Sequence, residues 1–317
     1  MSRLVTMLII GTLISPIYNP TFSFAQGNWK QLPVTPTVRT ENSAVLLKGK
    51  IYVLGGFTPK GMTTRVDVWN PESKNWSLAE SLPRALHHTT ARVVNEKLYV
   101  IGGFESGSWK PVNTTYEYVP ELNRWFKKNP MPTARGAHAA AVINGKIHLV
   151  GGAHRKLFKL VNTNAHEVYN PAKDSWGKLS SLPTPRDHLT ATVKNGKLFA
   201  IGGRINVNYQ NNLNLNESYN SKTGKWTQLA PLPTARSGVT SQLLKGWIHV
   251  LGGESNEGTF VENEGYNPEK NKWKTFPPMP IGLHGLASVL FKGKMHILNG
   301  GPHPGGSGSN HHLTFSK

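Results

Sequence analysis

The chain has 317 residues, 38% of them hydrophobic, with 36 lysines and arginines against 17 aspartates and glutamates. The absence of cysteine excludes disulfides, thiolate metal sites, a cysteine nucleophile and a lipidated cysteine anchor. A formal charge of +19 favours anionic surroundings, such as acidic polysaccharide, cell-wall polymer or lipid headgroups.

In chain order, the first segment reads as an export signal. Arg3 precedes an apolar run over residues 4–14, and Ser23, Phe24 and Ala25 place small residues where a signal peptidase cuts. Eleven apolar-rich residues are short for a membrane span. The expectation is a signal peptide over residues 1–25, cleaved after Ala25, and a secreted or extracytoplasmic single domain over residues 26–317. An exported protein leaves nucleic acid out of the expected partners.

From Trp29 onward one pattern recurs. Glycine pairs fall at Gly55-Gly56, Gly102-Gly103, Gly151-Gly152, Gly202-Gly203 and Gly252-Gly253, spaced 47 to 51 residues apart. An aromatic residue follows each pair, with a tryptophan seven residues beyond it: Trp76, Trp125, Trp176, Trp226 and Trp273. A period of this size marks supersecondary units that cannot bury a core singly.

The third copy shows the unit. Residues 137–143 form an apolar run of small residues, Asn144-Gly145 is a favoured two-residue hairpin turn, and residues 146–150 alternate. Gly151-Gly152 ends that strand. After a loop come a strand near Tyr169, a turn at Asn170-Pro171 and a strand carrying Trp176. Four short antiparallel strands per unit make a propeller blade. The blurred sixth copy at Asn299-Gly300-Gly301 runs out before any tryptophan, while Trp29 stands before the first glycine pair without a unit of its own. One strand near Trp29 completing the C-terminal blade accounts for both, and removes two free sheet edges. The expected fold is all-β, a six-bladed propeller with four antiparallel strands per blade.

The phased glycine pair, aromatic and tryptophan resemble Kelch repeats, and the chain resembles a secreted six-bladed member of that propeller superfamily. Some secreted six-bladed Kelch proteins are sialic-acid mutarotases or epimerases. The resemblance implies a carboxylate-binding arginine and an acid/base carboxylate, for which Arg204, Glu254 and Glu105 are the candidates. Copper radical oxidases, another Kelch class, need a Tyr–Cys crosslink that this chain cannot make. No cofactor and no metal are expected.

Residues repeated in every unit build the ring, since one ligand site has no use for five copies. The glycine pairs and Trp29, Trp76, Trp125, Trp176, Trp226 and Trp273 are read as structural. Arg39, Arg84, Arg135, Arg186 and Arg236 are read as opening five blades. They either tie loop carbonyls together or converge on the channel mouth around an anionic ligand. His87, His88, His138, His188 and His284 fall near the starts of innermost strands without a local metal-ligand signature. Fifteen lysines sit in the two turns of each unit that share one face, and give the ring a basic underside.

What breaks the repeat is the loop after each glycine pair. These loops carry Trp109 and Lys110, Arg155 and Phe158, Arg204 and Tyr209. Rings beside basic and amide groups suit carbohydrate, a ring stacking on the sugar face while polar groups take its hydroxyls. The expected function is a monomeric binding module for a glycan, another anionic ligand or a protein partner on the loop face. The alternative is a mutarotase-like isomerase. The basic face is expected to allow peripheral contact with an anionic surface.

Overall fold

The alternating strands pair as their patterns require. A computed structural model describes residues 27–105, 107 and 109–317, so the expected signal peptide lies outside the described residues. In blade 1, Ser43–Leu47, Lys50–Leu54, Val66–Asn70 and Asn75–Ala79 form one antiparallel sheet in that order. Blades 2 to 5 repeat it from Thr90, Ala139, Thr190 and Thr240. In blade 6, Ala287–Phe291, Lys294–Leu298 and His312–Ser316 are completed on the outside by Asn28–Gln31. The chain therefore closes as a six-bladed propeller, with the N-terminal strand as clasp.

Trp29 occupies the register the missing sixth tryptophan would have, opposite Phe315, as Trp125 lies opposite Tyr118 and Trp273 opposite Tyr266. Its indole Nε1 donates to the Pro277 carbonyl of blade 5 at 2.9 Å. Trp125, Trp176, Trp226 and Trp273 make the same bond to Glu80, Asn129, Ser180 and Ala230 of the preceding blade. Each of these five tryptophans packs its own blade and latches it to its neighbour, which satisfies the N–H that burial would otherwise orphan; Trp76 of blade 1 packs the same way but its N–H makes no such bond.

The glycine pairs sit where neighbouring blades meet. Gly252 and Gly253 have φ of +66° and +119°, and a Cβ would come within 2.3 Å of the Leu283 carbonyl on Gly252 and 2.8 Å of the Ser237 carbonyl on Gly253. The room saved is used by backbone. The amides of Gly56, Gly103, Gly152, Gly203, Gly253 and Gly300 donate to the carbonyls of Leu86, Arg135, Arg186, Arg236, Leu283 and Arg39, each on the next blade.

A second ring of hydrogen bonds runs nearer the axis. Glu41, His88, Ala137, His188, Gly238 and Gly285 are equivalent residues, all left-handed, with φ between +51° and +70°. Each amide donates to the carbonyl of its predecessor in that series, and Glu41 closes the circle on Gly285. A left-handed non-glycine costs about 1–2 kcal/mol, so the four that are not glycine are held there by the ring. Below it, the innermost strands of all six blades line a central channel of about 520 Å³.

Candidate functional site: an acid–base cluster on the propeller axis

The four arginines in phase with one another are embedded in the sheets. Arg39, Arg135, Arg186 and Arg236 are fully buried and pair with Asp67, Glu167, Glu217 and Glu264, on the third strand of the same blade. They also donate to backbone carbonyls, Arg186 for example to Gly202 and Ala200. Burial lowers all four guanidinium pKa values, against the pull of those carboxylates. They do not converge on the channel mouth.

The reading of Arg84 as the fifth of this set needs correction. The residue in phase is Leu86, which is fully buried and whose carbonyl accepts from Gly56. Arg84 lies two residues earlier, half exposed, and pairs with Glu105. Lys110 reaches the same carboxylate at 2.8 Å. Lys110 and Arg84 hold the Glu105 carboxyl below its usual range, burial notwithstanding. Glu105 thus belongs to a surface triplet and does not meet Arg204.

Arg204 and Glu254 do meet. Each follows the second glycine of its pair, and each bridges back to the residue just before the left-handed ring position, Asp187 and Ser237. That geometry aims both at the axis. Arg204 Nη1 donates to Glu254 Oε1 at 2.9 Å, and its Nε donates to Asp187 Oδ1 at 3.1 Å. Its Nη2 lies 2.9 Å from His188 Nε2, while His188 Nδ1 contacts Asp187. Only one tautomer satisfies both contacts: His188 carries its proton on Nδ1, donated to Asp187, and accepts from Arg204 on Nε2. His188 and Arg204 hold Asp187 below the usual carboxylate range, outweighing its burial.

Across the axis the cluster continues. His284 Nδ1 lies 3.4 Å from Glu41 Oε1 and 3.5 Å from Glu254 Oε2, buried between two carboxylates without a close hydrogen bond to either. Glu254 Oε2 also accepts from the Gly305 amide at 2.9 Å. His88 Nε2 lies 3.2 Å from Glu41 Oε2, and His88 Nδ1 is 2.5 Å from His87 Nδ1. Burial would raise the Glu41 carboxyl, but His88, His284 and His188 hold it well below its usual range. At His88 burial prevails over Glu41, and the imidazole pKa falls well below normal. At His284 the balance reverses, and Glu41 and Glu254 raise it despite burial. The cluster thus favours the proton on His284 over His88.

Aromatic rings cover the blade 1–2 side. Trp109 lies 4.5 Å from His88, 5.1 Å from His87 and 5.2 Å from Phe104, centroid to centroid. Phe57 stacks on His87 at 4.0 Å. Tyr209 receives the Arg204 guanidinium over its ring at 5.8 Å. Phe158 is elsewhere, 92% exposed beside Leu157 at the tip of the hairpin formed by Ala153–Lys156 and Lys159–Asn162, with Arg155 on the same hairpin.

Glu41, His88 and His188 bring one ligand atom each within 4.8 Å of one another, a combination that could hold a divalent cation. The fit is poor. Both His188 ring nitrogens are already engaged, Nε2 by the Arg204 guanidinium and Nδ1 by Asp187.

Sequence reasoning selected Arg204 and Glu254 but passed over Glu41, Asp187, His188 and His284 as a set. The signal was available: these positions hold Asp, Glu, His or Thr in some blades and Ala, Gly or Ser in others, so they break the repeat as the loops do.

Six four-stranded blades, paired glycines at each junction and a tryptophan latch define a Kelch-type propeller. A family model described as the KLHDC2/KLHL20/DRC7 Kelch-repeats domain matches residues 19–152 and 88–301, and the chain belongs to this Kelch-repeat family. A solved structure entitled "Structure of YjhT" is similar in fold, with a TM-score of 0.78 at 16% identity, covering 90% of this chain and 99% of that one. No curated protein matches the chain.

Proposed function

We propose that the protein is a ligand-binding Kelch propeller whose axial cluster takes a small polyhydroxylated ligand of the sugar-acid type and interconverts its forms by proton transfer. One observation carries this reading. His284, whose pKa the neighbouring acids raise, is buried between the carboxylates of Glu41 and Glu254, beside the Arg204 guanidinium and His88, whose pKa burial lowers. A fold held by packing has no need of so many ionisable groups at one place, and burying them costs stability. Perturbed titratable groups gathered in one site mark function more often than structure.

Anomer exchange is the chemistry such a cluster suits. A carboxylate takes the proton of the anomeric hydroxyl while an imidazolium gives one to the ring oxygen; the ring opens and recloses on the other face. Glu41 or Glu254 would serve as base and His284 as acid. Trp109 offers a ring face for stacking. The resemblance to mutarotase-like Kelch proteins supports the same reading at the level of fold. The composition and the N-terminal pattern support export, and the basic underside supports an anionic environment.

The experiment is direct. Calorimetry on a panel of acidic and neutral monosaccharides, with NMR exchange spectroscopy on those that bind, is expected to find a bound sugar acid and faster anomer exchange. Binding without faster exchange would leave a binding module alone. A flat result across the panel would overturn the proposal.

A further inference from the structure

Arg92 sits on the innermost strand of blade 2, in the wall of the central channel. The buried arginines each face a carboxylate: Arg39, Arg135, Arg186 and Arg236 within their blades, and Arg204 at the axis; Arg92 is partly buried. Arg92 has no carboxylate partner among the described residues. Its Nη1 donates to its own Ala91 carbonyl at 2.7 Å, and Nη2 donates to the Ala140 carbonyl of blade 3. Burial lowers its pKa to about 10, with no carboxylate pulling the other way.

The five residues equivalent to it are Val45, Ala141, Thr192, Gln242 and Val289. Polar side chains therefore stand at this level on blades 2, 4 and 5, all lining the channel, and blade 5 lies diametrically opposite blade 2. Ala141, next to Arg92, is small. Gln242 gives its Nε2 to Ser288 of blade 6, and Thr192 shares its hydroxyl with Ser241. Four residues separate Arg92 from the ring position His88, about 13 Å along a strand, so this level is distinct from the axial cluster. It lies toward the hairpin turns that carry Lys48, Lys146, Lys245 and Lys292.

We propose that the channel holds a second ligand site, in which Arg92 binds the carboxylate of a small solute entering from the basic underside. A guanidinium matches a carboxylate through two parallel N–H donors, and a site lined by hydroxyls and an amide completes the solvation of a polar ligand. Among the described residues the one carboxylate lining the channel is Glu41, at the opposite end, away from Arg92. The lysines at the entrance raise the local concentration of anions.

Calorimetry at low ionic strength with glucuronate, inorganic phosphate and glucose tests this. Saturable binding of glucuronate is expected, stronger than that of phosphate and absent for glucose. Arg92→Gln weakens it about 10- to 100-fold, and Arg92→Lys, which keeps the charge without the fork, weakens it less. Because Arg92 closes no ion pair and only two backbone hydrogen bonds go with it, Arg92→Gln stays folded and melts within a few degrees of the wild type, which separates loss of a ligand from loss of the fold. The axial site is read from the Arg92-independent component of the isotherm, so failure here is distinguished from failure of that site. A glucuronate stoichiometry that is the same in Arg92→Gln as in the wild type, with no component of the isotherm lost, or no saturable binding of either anion, overturns the proposal; phosphate binding as strong as glucuronate in the Arg92-dependent component overturns the carboxylate preference.

Discussion

Arg204 on blade 4 and Glu254 on blade 5 join across the blade junction at 2.9 Å, each placed there by the residue position directly after a glycine pair. The pair is nearly inaccessible, yet Glu254 is shared with His284 and the Gly305 amide. Glu254→Gln keeps the shape and removes the charge, at a cost of about 2 kcal/mol in stability. Binding of the sugar ligand is expected to survive in part while anomer exchange falls. Chemical denaturation and exchange spectroscopy on one preparation check both. Equal losses in binding and exchange would make the pair a scaffold.

Arg186 and Glu217 test the buried pairs. Where a blade lacks the arginine it lacks the acid too: Leu86 goes with Tyr116, and Leu283 with Leu313. Arg186→Leu alone strands a buried carboxylate and should cost about 3–5 kcal/mol. Adding Glu217→Leu copies blade 6 and is expected to restore much of that. Arg84→Ala, on the surface, should stay within about 0.5 kcal/mol. A double-mutant cycle by urea unfolding measures all three.

The clasp makes a separate prediction. Trp29→Ala loses its packing on Phe315 and the bond to Pro277, and should destabilise by about 3 kcal/mol. Deleting the chain through Gln31 uncovers the edge of His312–Ser316 and should promote association, seen by light scattering. A truncated protein that stays monomeric with an unchanged melting temperature would show that the clasp contributes nothing.

Acid should unfold the ring early. Burial lowers His148, His249 and His296 to about 4, and His166 and His312 to about 3. His148 bonds His166 at 3.0 Å and His296 bonds His312 at 2.9 Å, pairings that need a neutral ring. A histidine near 6.5 in the unfolded chain and lower in the fold binds its proton preferentially when unfolded. Stability is then full above pH 6.5 and is lost as pH falls from there toward 4, by about 1.4 kcal/mol per pH unit for each histidine at most. Urea midpoints at pH 7.5 and 5 should differ clearly, and His148→Gln with His296→Gln should flatten the slope.

The fold was legible because its determinants repeat. A glycine pair that must lie beneath a neighbour's carbonyl and a tryptophan that must latch to a neighbour's backbone recur in phase, and even the clasp showed as an unmatched Trp29. The carboxylate partners were legible but unread: Asp67, Glu167, Glu217 and Glu264 each stand two residues before the strand's aromatic. The site was harder because it is assembled from ring positions in different blades, where neighbours in space lie 16 to 244 residues apart. Arg84 misled because it stands in the position of Thr133, Thr184 and Thr234, directly after the shared proline, so a loop read by composition looks the same as one with its arginine two residues later.

The central claim is that the axial cluster moves protons on a bound sugar acid, and one measurement bears on it most directly. Exchange spectroscopy on the anomers of N-acetylneuraminate, with wild type, Glu254→Gln and His284→Asn at equal concentration, reads that step alone. The expected result is clear acceleration by wild type and a loss of about 100-fold or more in both variants. No acceleration by wild type, or variants as fast as wild type, would contradict it.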